Sequence, residues 1–342
     1  MTIKQIKEKL KSTEYDFLRT DKNLGNNIIV LTLGGSHAYG TNNEGSDLDI
    51  RGCALNSKMQ ILTNENFEQF VNNETDTTIY AFNKLVALLS NVNPNTIEML
   101  GNKPEHYFYV SPIGQELIDN AHLFLSKRAC HSFGGYANQQ LYRLNQKAAH
   151  RMSQSELEKH ILKTLEFMQT DFTKKYTPYK DDSMKLYIDK AVQEGYDTEI
   201  FMDVKLHHYP LRDYCSMWNE LQNAVRQYGK IGKRNEKAIE HGKIAKHSMH
   251  LIRLYMMCLD ILEKEKIITY REDEHDLLMD IRNGKYLDSN DQPIPEFFEM
   301  VNDYEKRLDY AKKNTSLPDN PNYKAINEFV ASVNERVVKG EI

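Results

Sequence analysis

The distribution of apolar residues over the first 110 positions is typical of a small α/β layer. Residues 27–33 form a continuous β-branched run that predicts a short buried strand. The same criteria predict two further strands and three helices. The predicted strands lie at 27–33, 47–55 and 75–81, and the predicted helices lie at 3–18, 82–89 and 96–100.

From about residue 111 onward the pattern becomes mainly helical, and residues 267–270 are one of few strand-like runs. Segments 170–182 and 316–323 contain prolines and polar residues and are predicted to be loops. We therefore predict an α+β fold, with a small mixed-sheet domain at 1–110 and a mostly helical domain at 111–342. The predicted helices of the second domain lie at 113–125, 137–152, 156–168, 211–228, 236–262 and 295–308.

Length and composition restrict the class of protein. A chain of 342 residues exceeds the usual single-domain size, and 40% hydrophobic residues suffice for sizeable cores. No apolar run approaches the roughly 18 residues of a membrane span, and the Lys-rich start lacks a signal-peptide core. The four cysteines form no Cys-x-x-Cys motif. We expect a cytoplasmic protein with reduced thiols and no membrane partner.

A glycine-rich turn directly follows the first predicted strand and reads GGSHAYG over residues 34–40. Glycine permits positive φ angles and lets a ligand approach the backbone closely. Free N–H groups at the start of a helix bind anions, and the Ser36 hydroxyl can either reach a phosphate or cap such a helix. The turn is therefore a candidate phosphate site.

Two carboxylates separated by one residue follow this turn, in the sequence SDLDIRG at residues 46–52. In an extended segment Asp47 and Asp49 point to one face, while Leu48 and Ile50 point to the core. Two carboxylates on one face repel each other unless a cation lies between them. Mg²⁺ suits such a pair because it takes one or two carboxylates and shares the phosphates of a substrate. Phosphate and metal sites this close along the chain indicate nucleotide chemistry.

Two later segments complete the set of motifs, NPNTIEML at 93–100 and KHSMHLIRL at 246–254. With the glycine turn and the Asp-x-Asp, they resemble motifs of the DNA polymerase β-like nucleotidyltransferase superfamily. The signature of that superfamily is a Gly-Ser turn, an Asp-x-Asp and a third carboxylate on a later strand. More narrowly, the chain resembles the bacterial and phage branch associated with RNA repair. His37 stands where that branch often has arginine or a small residue.

The resemblance implies roles for individual residues. Asp47 and Asp49 would bind Mg²⁺, with Mn²⁺ as an alternative, and Gly35 and Ser36 would hold the phosphates of a nucleoside triphosphate. Tyr39 and Gly40 belong to the GSHAYG segment, and we predict that they contribute to nucleotide binding.

Asp76 is our prediction for the third carboxylate, because it lies near the start of the strand predicted at 75–81. It would serve as a metal ligand or, equally, as the base for an attacking hydroxyl. Glu74, two residues earlier on the same face, is the alternative. Either residue could instead be an exposed charge at a strand end.

Two further charged residues in the motifs are given supporting roles. Glu98 is predicted to orient Lys84 or Arg51 rather than to bind metal. Arg51 could pair with the acidic cluster or reach a phosphate, and we expect structural pairing at least as readily.

Positive charge is concentrated in two segments, although the net charge of the chain is −5. Residues 120–155 contain five Lys or Arg and no acidic residue, and residues 226–253 contain eight against two glutamates. The first segment also carries aromatic residues, which suits single-stranded nucleic acid, although a helical core with basic residues outside gives the same pattern. RNA is therefore the predicted partner besides a nucleoside triphosphate.

The second basic segment includes a helix whose two faces differ. One face carries an apolar stripe, and the other carries cations at three- and four-residue intervals. By their match to the family segment, Lys246, His250 and Arg253 are predicted to contact triphosphate or RNA, and a solvated basic face is the alternative. The stripe consists of Ile244, Ser248, Leu251, Tyr255, Cys258 and Leu262.

The combined motifs predict a metal-dependent nucleotidyltransferase with two Mg²⁺ ions. An RNA 3′-hydroxyl would attack the α-phosphorus of the nucleotide, and pyrophosphate would leave, with catalysis by positioning and charge neutralisation. One alternative is transfer to a protein, to a small molecule, or to a second nucleotide to give a signal. Another is a nucleotide or RNA sensor that keeps the fold without turnover.

Overall fold

The structure is a computed structural model that describes residues 1–149, 154–180, 182–192, 198–229, 243–289 and 293–342. The chain divides into two compact units. The first unit comprises residues 1–140, 248–286 and 294–342, and the second comprises 141–247 and 287–293. These units are defined by compactness, and the functional domains at 1–110 and 111–342 stay a prediction.

A mixed five-stranded sheet lies at the centre of the first unit, in the order β3-β4-β2-β1-β5. Strand β2 pairs in parallel with β4, and the other neighbours are antiparallel. All six residues of β1 are buried, which confirms the buried strand predicted from the β-branched run. The strands are β1 (Ile28–Leu33), β2 (Ile50–Ala54), β3 (Gln69–Asn72), β4 (Thr77–Ala81) and β5 (Tyr107–Val110).

Helices make up most of the remaining described residues, so the predicted α+β class is confirmed. In chain order the α-helices are α1 (Ile3–Lys9), α2 (Phe17–Thr20), α3 (Gly35–Tyr39), α4 (Lys58–Leu62), α5 (Phe82–Ser90), α6 (Pro94–Ile97), α7 (Pro112–Asp119), α8 (Arg128–Ala149), α9 (Gln154–Lys175), α10 (Leu211–Gly229), α11 (Lys243–Lys264), α12 (His275–Arg282), α13 (Pro295–Asn314) and α14 (Tyr323–Lys339). Short 3-10 helices lie at Thr13–Tyr15, Gly25–Asn27, Glu98–Gly101, Pro104–His106 and Ala121–Phe124. No helix in the described part of the chain is both long enough and apolar enough to cross a membrane.

The single N-terminal helix predicted at 3–18 is wrong, because α1 ends at Lys9 and α2 begins at Phe17. The Arg19 guanidinium donates hydrogen bonds to the carbonyl oxygens of Leu10, Lys11 and Ser12. Those carbonyls would otherwise need helical N–H partners, so a side chain replaces a helical turn here. Ile6, Leu10, Tyr15 and Leu18 in this region are nevertheless all buried.

Several strands escaped prediction. Strands β3 and β5 are only four residues long, and β3 alternates between exposed and half-buried positions, so neither forms a long apolar run. In the second unit, β6 (Met184–Lys190) pairs antiparallel with β7 (Thr198–Val204). The strand predicted at 267–270 is wrong, because those residues form an irregular connection whose Thr269 N–H donates to the Gly101 carbonyl. Part of the loop predicted at 170–182 is the end of α9.

Helix α11 is buried nearly all round from Leu251 to Leu262, which is typical of a central helix. The predicted apolar stripe from Ile244 to Leu262 is confirmed, because all six of its members are buried. The predicted start of this helix at residue 236 lies outside the described residues. The connection after α11 contacts the end of α3, where the Arg271 N–H donates to the Tyr39 carbonyl. The central helix is thereby tied to the glycine turn.

A buried ion pair fixes that connection. The Arg271 guanidinium lies 2.5 Å from the Asp260 carboxylate, and the two side chains are 1% and 5% exposed. Arg271 also donates to the Ile268 carbonyl. The exposed Lys264 lies 2.8 Å from the other oxygen of Asp260.

Replacing Arg271 by leucine leaves the Asp260 carboxylate buried without its main partner. We expect a loss of about 3–5 kcal/mol in the free energy of unfolding, the usual cost of breaking a buried pair from one side. Urea denaturation measures this loss. The matched control is Lys264→Ala, which removes the exposed partner of the same carboxylate and should cost about 0–1 kcal/mol. Equal losses in the two variants would contradict a structural role for the buried pair.

Candidate active site

The glycine turn and the Asp-x-Asp meet at one end of the sheet. Strands β1 and β2 are antiparallel neighbours with Leu33 opposite Ile50. The pairing of the two segments continues beyond the strands, because the Gly34 N–H donates to the Asp49 carbonyl at 2.9 Å. The end of β1 therefore lies beside the start of β2, and two motifs separated in sequence form one site.

Gly35 is in direct contact with the Asp49 side chain. Its φ angle is +55°, in the left-handed region that favours glycine, and a Cβ at this position would overlap the Asp49 carboxylate. The absence of a side chain at residue 35 thus makes room for a carboxylate. This contact explains why residue 35 is a glycine.

The alternation predicted for residues 47–50 is confirmed. Leu48 and Ile50 are buried, Asp47 is exposed and Asp49 is partly exposed. The regular strand begins at Ile50 rather than near residue 46, so the carboxylates lie on the extended segment that leads into it. No ion pair or hydrogen bond of the Asp47 carboxylate occurs within the described ranges.

Arg51 pairs with the acidic motif, which is one of the two roles predicted for it. Its guanidinium lies 2.9 Å from Asp49 Oδ1 and also donates to the carbonyl oxygens of Ile50 and Asp76. Because it bonds to both β2 and the residue before β4, it holds these two strand starts together. This neighbouring cation reduces the charge repulsion between Asp47 and Asp49.

Ser36 and His37 form the first turn of α3. Ser36 is partly exposed, and within the described ranges its hydroxyl makes no hydrogen bond. His37 is buried, and burial lowers its pKa. The positive charges of the N-terminus and Arg282 lower this pKa further, while Ser46 and Asp49 act in the opposite direction.

The backbone of Asp76 lies next to the Asp-x-Asp, as expected for the residue that precedes β4. Its carbonyl accepts hydrogen bonds from the Ile50 N–H at 3.2 Å and from Arg51. Its φ angle is +45°, which is uncommon outside glycine. The Asp76 side chain is exposed. The pKa of Tyr15 is raised mainly by burial, and the charges of Glu14 and then Asp76 raise it further.

Glu74 lies in the turn between β3 and β4 and is also exposed. Its N–H and that of Thr75 both donate to the Asn72 side chain. The structure thus brings the Asp76 backbone to the site and leaves Glu74 in the turn. The choice of third carboxylate stays a prediction.

The donor chemistry of the site fits Mg²⁺. Within the described part of the chain, no three His, Cys, Asp or Glu side chains form a metal-binding group. Mg²⁺ does not require such a group, because it commonly takes one or two carboxylates together with water and substrate phosphates. Asp47, with no protein partner in the described ranges, and Asp49, paired with Arg51, supply two hard oxygen donors on one face.

Tyr39 is a buried support rather than a surface residue. Its hydroxyl donates to Glu98 Oε2 at 2.5 Å, and the Arg253 guanidinium lies 3.5 Å from the centre of its ring. Such a cation–π contact is strengthened when the groups are desolvated, and Arg253 is 8% exposed. The nucleotide-binding role of Tyr39 stays a prediction. The structure places the Arg253 guanidinium over the face of its ring.

Glu98 is the acidic partner of this buried cluster. Burial raises the pKa of its carboxyl, while Arg253, the Tyr39 hydrogen bond and Arg51 act in the opposite direction. The negative charge of Asp49 raises the pKa of Glu98 further. Lys84, which was predicted as a possible partner, instead pairs with Glu68. Within this cluster, Glu98 and the Tyr39 ring hold Arg253 between α3 and α11.

The three residues predicted on α11 have different surroundings. Arg253 is buried over Tyr39, and one of its amino groups lies 2.7 Å from His250 Nδ1. Lys246 is exposed on the part of α11 that belongs to the second unit. The predicted row of cations is thus not one uniformly solvated face, because its last member enters the core. Gly40 ends α3 with φ +74°, and a Cβ there would lie 2.6 Å from the Tyr270 ring.

Arg282 belongs to the site and was not identified from the sequence. Its guanidinium donates to the Thr41 carbonyl at 2.6 Å and to the Ser46 hydroxyl at 2.9 Å. It therefore closes the loop that joins α3 to Asp47. Burial lowers its pKa, and repulsion from Arg253 adds to this effect. No local motif marks this arginine, since its partners are more than 200 residues away in the chain.

The two basic segments are only partly described. In the first, Lys127 pairs with Asp319, Arg128 binds Asn91 and Tyr323, and Phe124 and Phe133 are buried. These contacts agree with the alternative of a helical core with basic residues on its outside. Arg151 and residues 230–242 of the second segment lie outside the described residues.

The fold and the site together define an α+β protein in which a glycine turn and an Asp-x-Asp share the end of a mixed sheet. The chain belongs to the RlaP family, described as the RNA repair pathway DNA polymerase beta family, whose family model matches residues 4–332. This membership confirms the resemblance found in the motifs and supports the general nucleotidyltransferase class. The search of curated proteins gave no match, and neither did the search of solved structures.

Replacing Gly35 by alanine should displace the Asp49 carboxylate. We expect a loss of roughly 1–3 kcal/mol in the free energy of unfolding from the strained backbone and the overlap, together with loss of catalytic activity. Urea denaturation and a turnover assay measure the two effects.

The matched control is Gly340→Ala, because Gly340 also has a positive φ of +71°, but a Cβ at this position would have no neighbouring atom within 4 Å. It should show the backbone cost alone and keep full activity. A Gly35→Ala protein that is as stable and as active as the Gly340→Ala protein would refute the contact with Asp49.

Proposed function

We propose that this protein is a metal-dependent nucleotidyltransferase that moves a nucleoside monophosphate from a nucleoside triphosphate to the 3′ end of an RNA. The observation that carries the proposal is the position of Asp47 and Asp49. They share one face directly beside the glycine turn, with the Asp47 carboxylate exposed and unpaired in the described ranges. Family membership supports the same class of chemistry.

The glycine turn supplies the proposed phosphate contacts. Gly35 and Ser36 begin α3, and the first N–H groups of a helix have no partners within it. Together with the Ser36 hydroxyl, they would bind the terminal phosphates of the nucleotide. Arg253 adds a positive charge on the side of Tyr39 and Glu98, and Arg282 holds the loop that follows the turn.

Asp47 and Asp49 would hold Mg²⁺, which supplies positive charge for the triphosphate and the attacking oxygen. Arg51 keeps Asp49 oriented through its 2.9 Å contact, and Gly35 leaves the space that this carboxylate needs. Asp47 has no such restraint from an ion pair in the described ranges, so it is the carboxylate that is most available to a cation.

The reaction itself is a substitution at phosphorus. The acceptor hydroxyl oxygen bonds to the α-phosphorus, the bond from that phosphorus to the bridging oxygen breaks, and pyrophosphate leaves. The hydroxyl proton passes to a base, for which Asp76 is our candidate. Such transfers depend mainly on positioning and charge neutralisation, which are the contributions that the turn and the carboxylates make.

Changing Asp47 to asparagine removes one charge without changing the size of the side chain. We expect nucleotidyl transfer to fall by about 100-fold or more, the loss typical of removing one electrostatic contact to a transition state. Incorporation of a labelled nucleotide into RNA measures it, and the melting temperature should not fall, because Asp47 has no protein partner in the described ranges.

Glu44→Gln is the matched control, since Glu44 is an exposed acid three residues earlier in the same loop. It should retain full activity. Wild-type turnover by the Asp47→Asn protein would rule out this site as the location of the chemistry.

The third carboxylate is tested by comparing two conservative substitutions. Asp76→Asn should reduce turnover, because it removes the carboxylate proposed to accept the hydroxyl proton. The backbone bonds of Asp76 to Ile50 and Arg51, which place it at the start of β2, are kept. Glu74→Gln should leave turnover unchanged, because Glu74 lies in the β3–β4 turn. The pH dependence of the rate should change only in the Asp76 variant if this residue accepts the hydroxyl proton. The reverse pattern would assign the role to Glu74.

A further inference from the structure

A groove outside the candidate active site is formed by α1, the residues before β1 and the edge strand β5. Its volume is about 500 Å³, which is within the range of ligand-binding clefts. Its lining combines cations with aliphatic and aromatic side chains. Its lining includes Lys4, Lys7, Lys11, Leu31, Phe108 and Tyr109.

Lysine side chains give the groove uncompensated positive charge. Glu8 is the acidic residue among those that line the groove, and it pairs with Lys11 at 2.9 Å. Lys4 and Lys7 are exposed, lie one turn apart on α1, and have no ion pair within the ranges that the structure describes. In a chain of net charge −5, this is a local site that attracts polyanions.

An exposed aromatic side chain lies beside these lysines. Tyr109 is 50% exposed on the edge strand β5, so its ring is accessible to a ligand in the groove. Phe108, its neighbour in the groove, is partly buried. Basic grooves with exposed aromatic rings bind single-stranded nucleic acid, because phosphates pair with the cations and bases stack on the rings.

The groove is connected to the candidate active site through β1. Leu31 lines the groove and is the partner of Tyr109 in the β1–β5 pairing. Gly34 follows three residues later, which is about 10 Å along an extended strand. Measured along β1, the groove therefore lies about 10 Å from the glycine turn at the end of the same strand.

We propose that this groove binds the single-stranded segment of the acceptor RNA that precedes the 3′ end receiving the nucleotide. Lys4 and Lys7 contact its phosphates, and Tyr109 stacks on one of its bases. The proposal rests on the proposed function for the identity of the acceptor. It assigns RNA binding to the first unit and to residues outside the two basic segments.

The test is equilibrium binding of a 5′-labelled single-stranded RNA to the full chain without nucleotide, measured by fluorescence anisotropy over a range of salt concentrations. Losing two phosphate contacts in the Lys4→Ala/Lys7→Ala variant should reduce the slope of log K against log salt by about 1.4. The Tyr109→Ala variant should bind roughly 5- to 150-fold more weakly, and Tyr109→Phe should bind like the wild type.

Lys313→Ala/Lys324→Ala is the matched control, because these exposed lysines do not line the groove. It should leave both the affinity and the salt slope unchanged. Melting temperatures of all variants should match the wild type, since the altered side chains are exposed.

Unchanged RNA binding in either the lysine or the Tyr109→Ala variant would overturn the proposal and leave the groove to another partner, such as a protein. Failure of the proposed function is a separate result. A wild-type chain that binds RNA through these residues but transfers no nucleotide would refute the nucleotidyltransferase proposal and keep the groove.

Discussion

The contact between the Gly35 backbone and the Asp49 carboxylate is the constraint on which the candidate site depends. A side chain at residue 35 would occupy the space of that carboxylate, and the positive φ of residue 35 also favours glycine. The hydrogen bond from the Gly34 N–H to the Asp49 carbonyl fixes the same two segments through the backbone. The glycine turn and the two carboxylates are thus held by one junction between β1 and β2.

The rest of the first unit keeps this junction in place. Arg51 bonds to Asp49 and to the backbone before β4, and it thereby joins the start of β4 to the junction of β1 and β2. Arg282 fixes the loop between α3 and Asp47. Behind α3, the buried helix α11 presents Arg253 to the ring of Tyr39, whose hydroxyl is bonded to Glu98. Residues from the last third of the chain therefore complete a site that the first third begins.

The features that were predicted correctly are those that depend on short-range patterns in the sequence. The buried strand β1, the alternation of Leu48 and Ile50 with the two aspartates, and the apolar stripe of α11 follow from periodicity alone. The sequence did not reveal the break after α1, because the carbonyls there are satisfied by Arg19 from a later turn. It also could not place Arg282 or bury Arg253, because contacts across more than 200 residues have no periodic signal.

The most direct test of the proposed chemistry is the fate of two differently labelled nucleotides. Full-length protein is incubated with Mg²⁺, an RNA with a free 3′-hydroxyl, and a nucleoside triphosphate labelled at either the α- or the γ-phosphate, for each of the four bases. We expect that α-label enters the RNA, γ-label leaves in pyrophosphate, and an RNA blocked at its 3′ end takes up neither. Transfer of the γ-label to RNA, or no release of pyrophosphate with any nucleotide, would contradict the proposed reaction.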